Sequence, residues 1–208
     1  MTAETTRIAP AELAALVGSR LCHDLVSPLG AIGNGVELLE MSGGLAGAGQ
    51  SPELRLISES VGAARNRIQV FRMAFGLPSA DQRIGRPELL RLVAALSGQG
   101  RLAIELDAGG DFARAEIRML ILALMCMDTA MPWGGRVIVL HDAPGWRLVG
   151  ESDRTRADPS LWSWLDGRAP CRTPAPGEVQ FALLAEAAAE SGRSLHWELD
   201  DNGAEITF

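Results

Sequence analysis

The chain has 208 residues, 47% of them hydrophobic and 22% charged, with a formal net charge of −7. That supports one large domain or two small ones with a real apolar core, and it argues against a free nucleic-acid binder, whose phosphate contacts call for a basic surplus. All 19 basic residues are arginine, so a P-loop lysine, a kinase strand lysine and Schiff-base chemistry are excluded together. Cys22, Cys126 and Cys171 stand too far apart for a disulfide framework or a CxxC metal pair. Met1 to Pro10 carries no basic-then-apolar leader, and no apolar run approaches the ~20 residues that span a bilayer. The expectation is a cytoplasmic protein without membrane contact.

Pro10 and the Ala-Glu-Leu after it open a first helix. At about 100° per residue, Leu21, Leu25, Leu29, Ile32, Val36 and Leu39 share one quadrant of it. From Leu13 to Glu40 it is roughly 40 Å long at 1.5 Å per residue. Gly43 to Pro52 reads as the turn, and Ser51-Pro52-Glu53 as the start of a second helix, with Leu54, Ile57, Val61, Ala64, Ile68, Phe71 and Phe75 on one face. Two such helices alone cannot shield both stripes from water. A second copy of the hairpin, giving a four-helix bundle in a homodimer, covers them at least cost; the alternative is packing on the rest of the chain.

Gly76 to Pro87 (GLPSADQRIGRP) has the composition of a linker. Beyond it the expected elements are a helix from Pro87 to about Leu96, a strand Leu102–Leu106, a strongly apolar helix from about Ala113 to Met131, and a strand Arg136–His141. Trp146–Gly150 follows as its hairpin partner, then a polar, Pro-rich stretch with a short helix near Leu161–Asp166, and an Ala-rich helix Glu178–Ser191. The strands Leu195–Leu199 and Ala204–Phe208 close the chain over Asp200-Asp-Asn-Gly203. Helices on one face of a largely antiparallel sheet make an α+β arrangement.

Three histidines are available. His141 ends a strand and His196 lies inside one, and neither has neighbours at metal-ligand spacing. His23 differs. Relative to Leu21 it is turned about 200° around the helix, while the apolar stripe centres near 40°, so it points to solvent. Ser19, Ser27 and Gly30 share its face and are all small, which leaves room for another protein's surface. An exposed imidazole, with a pKa near ~6.5, is mostly neutral at pH 7 and keeps a nitrogen lone pair. Asp24 can hold one ring nitrogen as N–H and leave the other as nucleophile. Pro28 removes a helix hydrogen bond one turn on and should bend the helix. Cys22, about 100° from His23, is read as packing. These residues also describe an ordinary surface histidine beside an incidental proline.

The longer run LCHDLVSPLGAIGNGVELL (Leu21–Leu39) resembles the H-box of histidine-kinase dimerisation domains, in which a phosphorylatable His is followed by an acid and, five residues on, a Pro. It is most similar to the ChpT-type histidine phosphotransferases of alphaproteobacteria. The resemblance implies a dimerisation and phosphotransfer hairpin over residues 1–80, followed over 83–208 by a degenerate histidine-kinase ATPase-like α/β sandwich. It implies His23 as phosphoacceptor and Asp24 as its partner, with Ser27, Pro28 and Gly30 shaping the site. Ser27 holds the place of a phosphatase residue in bifunctional kinases.

The kinase nucleotide site needs an Asn-rich helix, an Asp-x-Gly-x-Gly turn and a Gly-x-Gly loop. Met119 to Ala130 contains no Asn, and neither His141-Asp-Ala-Pro-Gly145 nor Pro176-Gly-Glu-Val-Gln180 fits the other two patterns. The expectation is therefore that the chain binds no nucleotide, cofactor or metal of its own. The phosphoryl group comes from a receiver domain of a hybrid histidine kinase and passes to response regulators, CtrA-like by resemblance, with the receivers supplying Mg²⁺ and a lysine. Their acidic loops would approach Ser19, His23, Ser27 and Gly30, with Arg20 offsetting charge. Arg65 and Arg72, about 50–70° off the second helix's stripe, and Arg67, about 90° off on its other side, are further docking candidates, although charges flanking a helix core are usually just solvated. Two other readings stand beside this one: a dimeric module that binds receivers without phosphotransfer, and an autokinase with a diverged ATP pocket.

Overall fold

The computed structural model describes residues 8–41, 51–76, 81–97, 101–142, 145–167 and 172–208. Helix α1 (Pro10–Met41) and helix α2 (Pro52–Phe75) form an antiparallel hairpin: Gly35 meets Ile57 near one end and Asp24 meets Arg67 further down. α1 runs through Pro28 as one helix. α2 starts as its sequence requires, with Ser51 as N-cap accepting from the Leu54 amide at 3.2 Å and Pro52 in the first turn. Most of the expected turn between the helices lies outside the described residues.

The second part is an α/β sandwich. Its five-stranded sheet has the order β2 (Leu102–Asp107), β4 (Gly135–Asp142), β5 (Gly145–Glu151), β7 (Gly203–Thr207), β6 (His196–Leu199). β2 and β4 are parallel and the other pairs antiparallel. Helices α3 (Arg86–Ser97), α4 (Arg114–Ala130) and α6 (Val179–Glu190) complete it. α4 is buried on nearly every side, from Ile117 through Met127, because it packs on α2 and α6 as well as on the sheet. That all-round burial is why its sequence is apolar all round. The strands alternate, with Val137, Val139, Trp146 and Leu148 buried. On the other face two diagonal bidentate pairs, Arg136–Glu105 and Arg147–Glu205, brace neighbouring strands at 2.6–2.9 Å.

Between β5 and α6 lie a one-turn helix α5 (Pro159–Trp162) and two 3₁₀ turns, Ser163–Asp166 and Pro176–Glu178. Despite its polar composition this stretch buries Leu161, Trp162, Trp164 and Leu165, and Trp162 sits between Phe181 and Trp197.

One sequence expectation needs correction. The linker Gly76–Pro87 is partly structural: β1 (Arg83–Gly85) lies within it, pairs antiparallel with β3 (Asp111–Ala113), and buries Ile84 completely. Three-residue strands are too short to show an alternation. Part of the hairpin's apolar stripe is left uncovered within the single chain, in line with the expectation that the hairpin alone cannot shield it. Leu29, Val36 and Ile68 are 60%, 43% and 45% exposed. What α2 buries, besides Ser60, is Val70, Phe71, Met73 and Ala74; Phe71 belongs to the expected stripe, whereas Val70, Met73 and Ala74 lie round the helix from it, and this end packs on α3 and α4. There Arg114 and Arg118 donate to the carbonyls of Arg72 (2.9 Å) and Ala74 (3.1 Å), satisfying acceptors that the end of a helix leaves open. So one end of α2 packs on the sandwich, while Leu29, Val36 and Ile68 of the expected stripe stay exposed within the single chain.

Candidate functional site

The His23 side chain is 87% exposed and that of Asp24 only 9%. Consecutive residues diverge by about 100° on a helix, so one looks out while the other looks into the joint between hairpin and sandwich. The imidazole nonetheless leans back far enough that Nδ1 lies 3.0 Å from Asp24 Oδ1. With Nδ1 as donor to that carboxylate, Nε2 carries the lone pair and faces solvent.

Asp24 Oδ2 is held by two guanidiniums. Arg20 Nε donates to it at 2.7 Å from one helical turn earlier, and Arg67 Nη1 approaches to 3.4 Å from α2. Arg20 also donates through Nη1 to the Gly177 carbonyl at 2.5 Å, across to the sandwich. That carbonyl accepts a second bond, 3.0 Å from Nε2 of the fully buried Gln180, which also donates to Thr129 Oγ1 of α4 at 2.8 Å. Arg20, Asp24 and Arg67 line a cavity of about 90 Å³ with Asp128 of α4, Phe71 and Leu124. Loss of surrounding water pushes the Asp128 carboxyl above its ordinary value; Asp24 adds to this, while Arg101, Arg20 and Arg67 oppose it.

Ser19, Ser27 and Gly30 are exposed on the His23 side of α1, and Pro28 is half-buried. A Cβ built on Gly30 would meet nothing within 4 Å, so this chain's own packing does not demand a glycine there. The candidate docking arginines divide. Arg65 and Arg72 are exposed, Arg72 beside Arg91 and Arg114 around a polar cavity of about 210 Å³. Arg20 and Arg67 turn inward to Asp24 instead, because the buried face of α2 is rotated toward Arg67. Cys22 is exposed rather than packed. His141 lies against Phe112 and Trp146, with ring centroids 4.8 and 4.6 Å away, as a packing residue.

Sequence reasoning missed the Gly177 carbonyl, Gln180 and the inward path of Arg67. The Arg20–Asp24 pair was open to it, since an i,i+4 Arg/Asp spacing is a helix-face ion pair. Among the described residues, no group of three or more His, Cys, Asp or Glu could hold a metal ion, and no helix is long and apolar enough to cross a membrane.

A solved bacterial phosphotransferase structure superposes on nearly the whole molecule, with a TM-score of 0.75 and 26% identity over 97% of this chain and 98% of that one. Protein phosphotransferase ChpT of Brucella abortus (strain 2308) is 27% identical over 198 residues, covering 91% of this chain and 92% of the relative. The class these findings define, with the hairpin and sandwich above, is a two-part α+β phosphotransferase. The model of the histidine phosphotransferase C-terminal domain matches residues 86–203, more than half of the chain, and the chain belongs to the histidine phosphotransferase family.

Proposed function

We propose that this protein takes a phosphoryl group from the aspartyl phosphate of a receiver domain onto Nε2 of His23 and passes it to a second receiver, as an intermediate of a two-component phosphorelay. The observation that carries this reading is the imidazole itself, 87% exposed, with Nδ1 against a buried carboxylate and Nε2 open to a partner. Phosphoryl transfer is largely positioning and charge neutralisation. A chain that supplies a fixed nucleophile therefore needs from its partner only the activated phosphate, Mg²⁺ and a cation for the leaving oxygens. The partners are a hybrid-kinase receiver and response regulators, of the CtrA type by resemblance to ChpT-type proteins.

The functional unit is a homodimer. Leu29 and Val36 of α1 and Ile68 of α2 leave an apolar strip that a second hairpin covers as a four-helix bundle. Residues 1–80 carry dimerisation and transfer. Residues 83–208 form a sandwich without a nucleotide site. Pro176-Gly-Glu-Val-Gln180, which lacks the Gly-x-Gly pattern of a phosphate loop, instead carries a buried Glu178 bonded to Arg172 and to the Ala175 amide.

The test is incubation of the protein with a ³²P-phosphorylated receiver and Mg²⁺. Acid-labile label is expected on the wild type and none on His23→Ala. Receiver binding without label makes the protein a docking module instead, and label gained from ATP alone makes it an autokinase.

A further inference from the structure

The way Asp24 is held carries a second assignment, which rests on the reading of His23 as acceptor. The Arg20 guanidinium is a fork with its prongs in two different domains: Nε on Asp24 Oδ2 at 2.7 Å and Nη1 on the Gly177 carbonyl at 2.5 Å. The second anchor is rigid. Gly177 O also accepts from buried Gln180, which is tied to Thr129 of α4. The next residue, Glu178, is buried and accepts from Arg172, Arg156 and the Ala175 amide. A free carboxylate exchanges its two oxygens by rotating about one bond. With Oδ2 gripped by Arg20 and approached by Arg67, Oδ1 is the oxygen that faces His23 Nδ1.

We propose that Arg20 is a positioning residue through which the sandwich domain fixes the His23 imidazole with Nδ1 protonated and Nε2 as the nucleophile. In the transfer step, the Nε2 lone pair forms the N–P bond while the P–O bond to the receiver's aspartate breaks, its electron pair leaving with the carboxylate. The proton stays on Nδ1, and the positive charge that develops on the ring faces Asp24. Arg20 touches none of the reacting atoms and acts through Asp24. The sandwich thus contributes to chemistry as well as to surface area: its Gly177 carbonyl sets the direction of a side chain on the other domain.

The experiment uses the full chain as wild type, Arg20→Ala, Arg20→Lys and His23→Ala. Two quantities are read: the ¹⁵N imidazole spectrum of His23, assigned by its loss in His23→Ala, and single-turnover labelling from a phosphorylated receiver over a range of receiver concentrations. In the wild type the Nδ1–H tautomer is expected to dominate. In Arg20→Ala the spectrum should move toward the mixture of a free imidazole, and the rate at saturating receiver should fall by about 10- to 100-fold, with half-saturation changed less than about twofold. Lysine keeps the charge but reaches only one of the two acceptors, so Arg20→Lys should be intermediate in both readouts. If Arg20→Ala does not fold, the lysine variant decides alone. An unchanged tautomer with an unchanged saturating rate overturns the proposal, as does a loss confined to half-saturation, which would make Arg20 a receiver contact. A wild type that takes no label, or a His23→Ala that takes as much, fails the acceptor reading itself, and the spectrum still reports on Arg20.

Discussion

Nδ1 of His23 lies 3.0 Å from Oδ1 of Asp24, and the two side chains are 87% and 9% exposed. A wet nucleophile is thus oriented by a dry carboxylate, and the direction of that hydrogen bond decides which ring nitrogen is free. Asp24→Asn keeps the shape and reverses the logic: the amide can turn its NH₂ toward Nδ1, so that Nδ1 accepts and Nε2 carries the proton. The expected outcome is a loss of labelling rate at saturating receiver of roughly 10²-fold or more, with receiver binding retained. Stopped-time labelling from a phosphorylated receiver measures it, and an Asn variant as fast as wild type would remove Asp24 from the mechanism.

The motif around His23 was legible because each of its requirements is local: a histidine, an acid beside it and small residues at i−4, i+4 and i+7 can all be placed from one helical wheel. The support of that motif was not. Arg67 reaches Asp24 only because the register of α1 on α2 sets 24 against 67, and the Gly177 carbonyl meets Arg20 only because the turn leading into α6 lies beside α1. No periodicity within one segment encodes either fact. The stripe holding Leu29, Val36 and Ile68 was found correctly as apolar, and it stays exposed in the single chain; a helical wheel shows that a face must be covered without showing which chain covers it. β1 and β3 escaped notice for a different reason: each spans three residues, and only Ile84 of the one and Phe112 of the other carry a buried signal.

The exposed stripe gives the prediction on assembly. Replacing Leu29 and Val36 together by Glu puts charge on two positions that are 60% and 43% exposed in the single chain, so the monomer loses little. A bundle that buries both must then bury four unpaired carboxylates, two from each chain, each at a cost of several kcal/mol. Light scattering coupled to size exclusion is expected to show a dimer for the wild type and a monomer for the double variant, with the circular dichroism of a folded chain in both. A wild type that runs as a monomer at micromolar concentration would discard the four-helix bundle.

The segment between β5 and α6 gives the prediction on pH. Arg172 bonds Glu178 at 2.7 and 3.1 Å and Asp158 at 2.8 Å. The Ser160 hydroxyl, followed by Arg172, brings Asp158 from its usual 3.8 to about 2, and Arg172 lowers Glu178 against the opposing effect of burial. Both carboxyls bind protons more weakly folded than unfolded. Their stabilisation is therefore present above the unfolded values and is lost as the pH falls from about 4 toward 2. Arg172→Ala removes the arginine's share of it at every pH, leaving Asp158 with the Ser160 hydroxyl and the Leu161 amide and Glu178 with Arg156 and the Ala175 amide. At pH 7 the variant should lose about 2–3 kcal/mol, or roughly 5–10 °C of Tm. Melting curves between pH 2.5 and 7 should show a gap between wild type and variant that narrows with acid, and a constant gap would contradict the linkage.

On the face of α1 that meets α2, Gly35 is buried, and a Cβ placed on it would lie 2.6 Å from Ile57 Cγ1 and 3.4 Å from the Glu53 carbonyl oxygen. Two effects of Gly35→Ala oppose each other. Alanine raises helix propensity by about 1 kcal/mol. The methyl group, however, meets the inner carbon of a β-branched side chain, which is stiff at χ1, and overpacking of this kind costs about 1–3 kcal/mol. The clash is expected to win, with a net loss of roughly 1 kcal/mol, whereas at Gly30 and Gly33, where a Cβ would meet nothing within 4 Å, the same substitution should stabilise the isolated chain. Denaturant titration of the three alanine variants separates the cases. A Gly35→Ala protein as stable as Gly33→Ala would mean that α1 and α2 sit further apart than their contact at Ile57 requires.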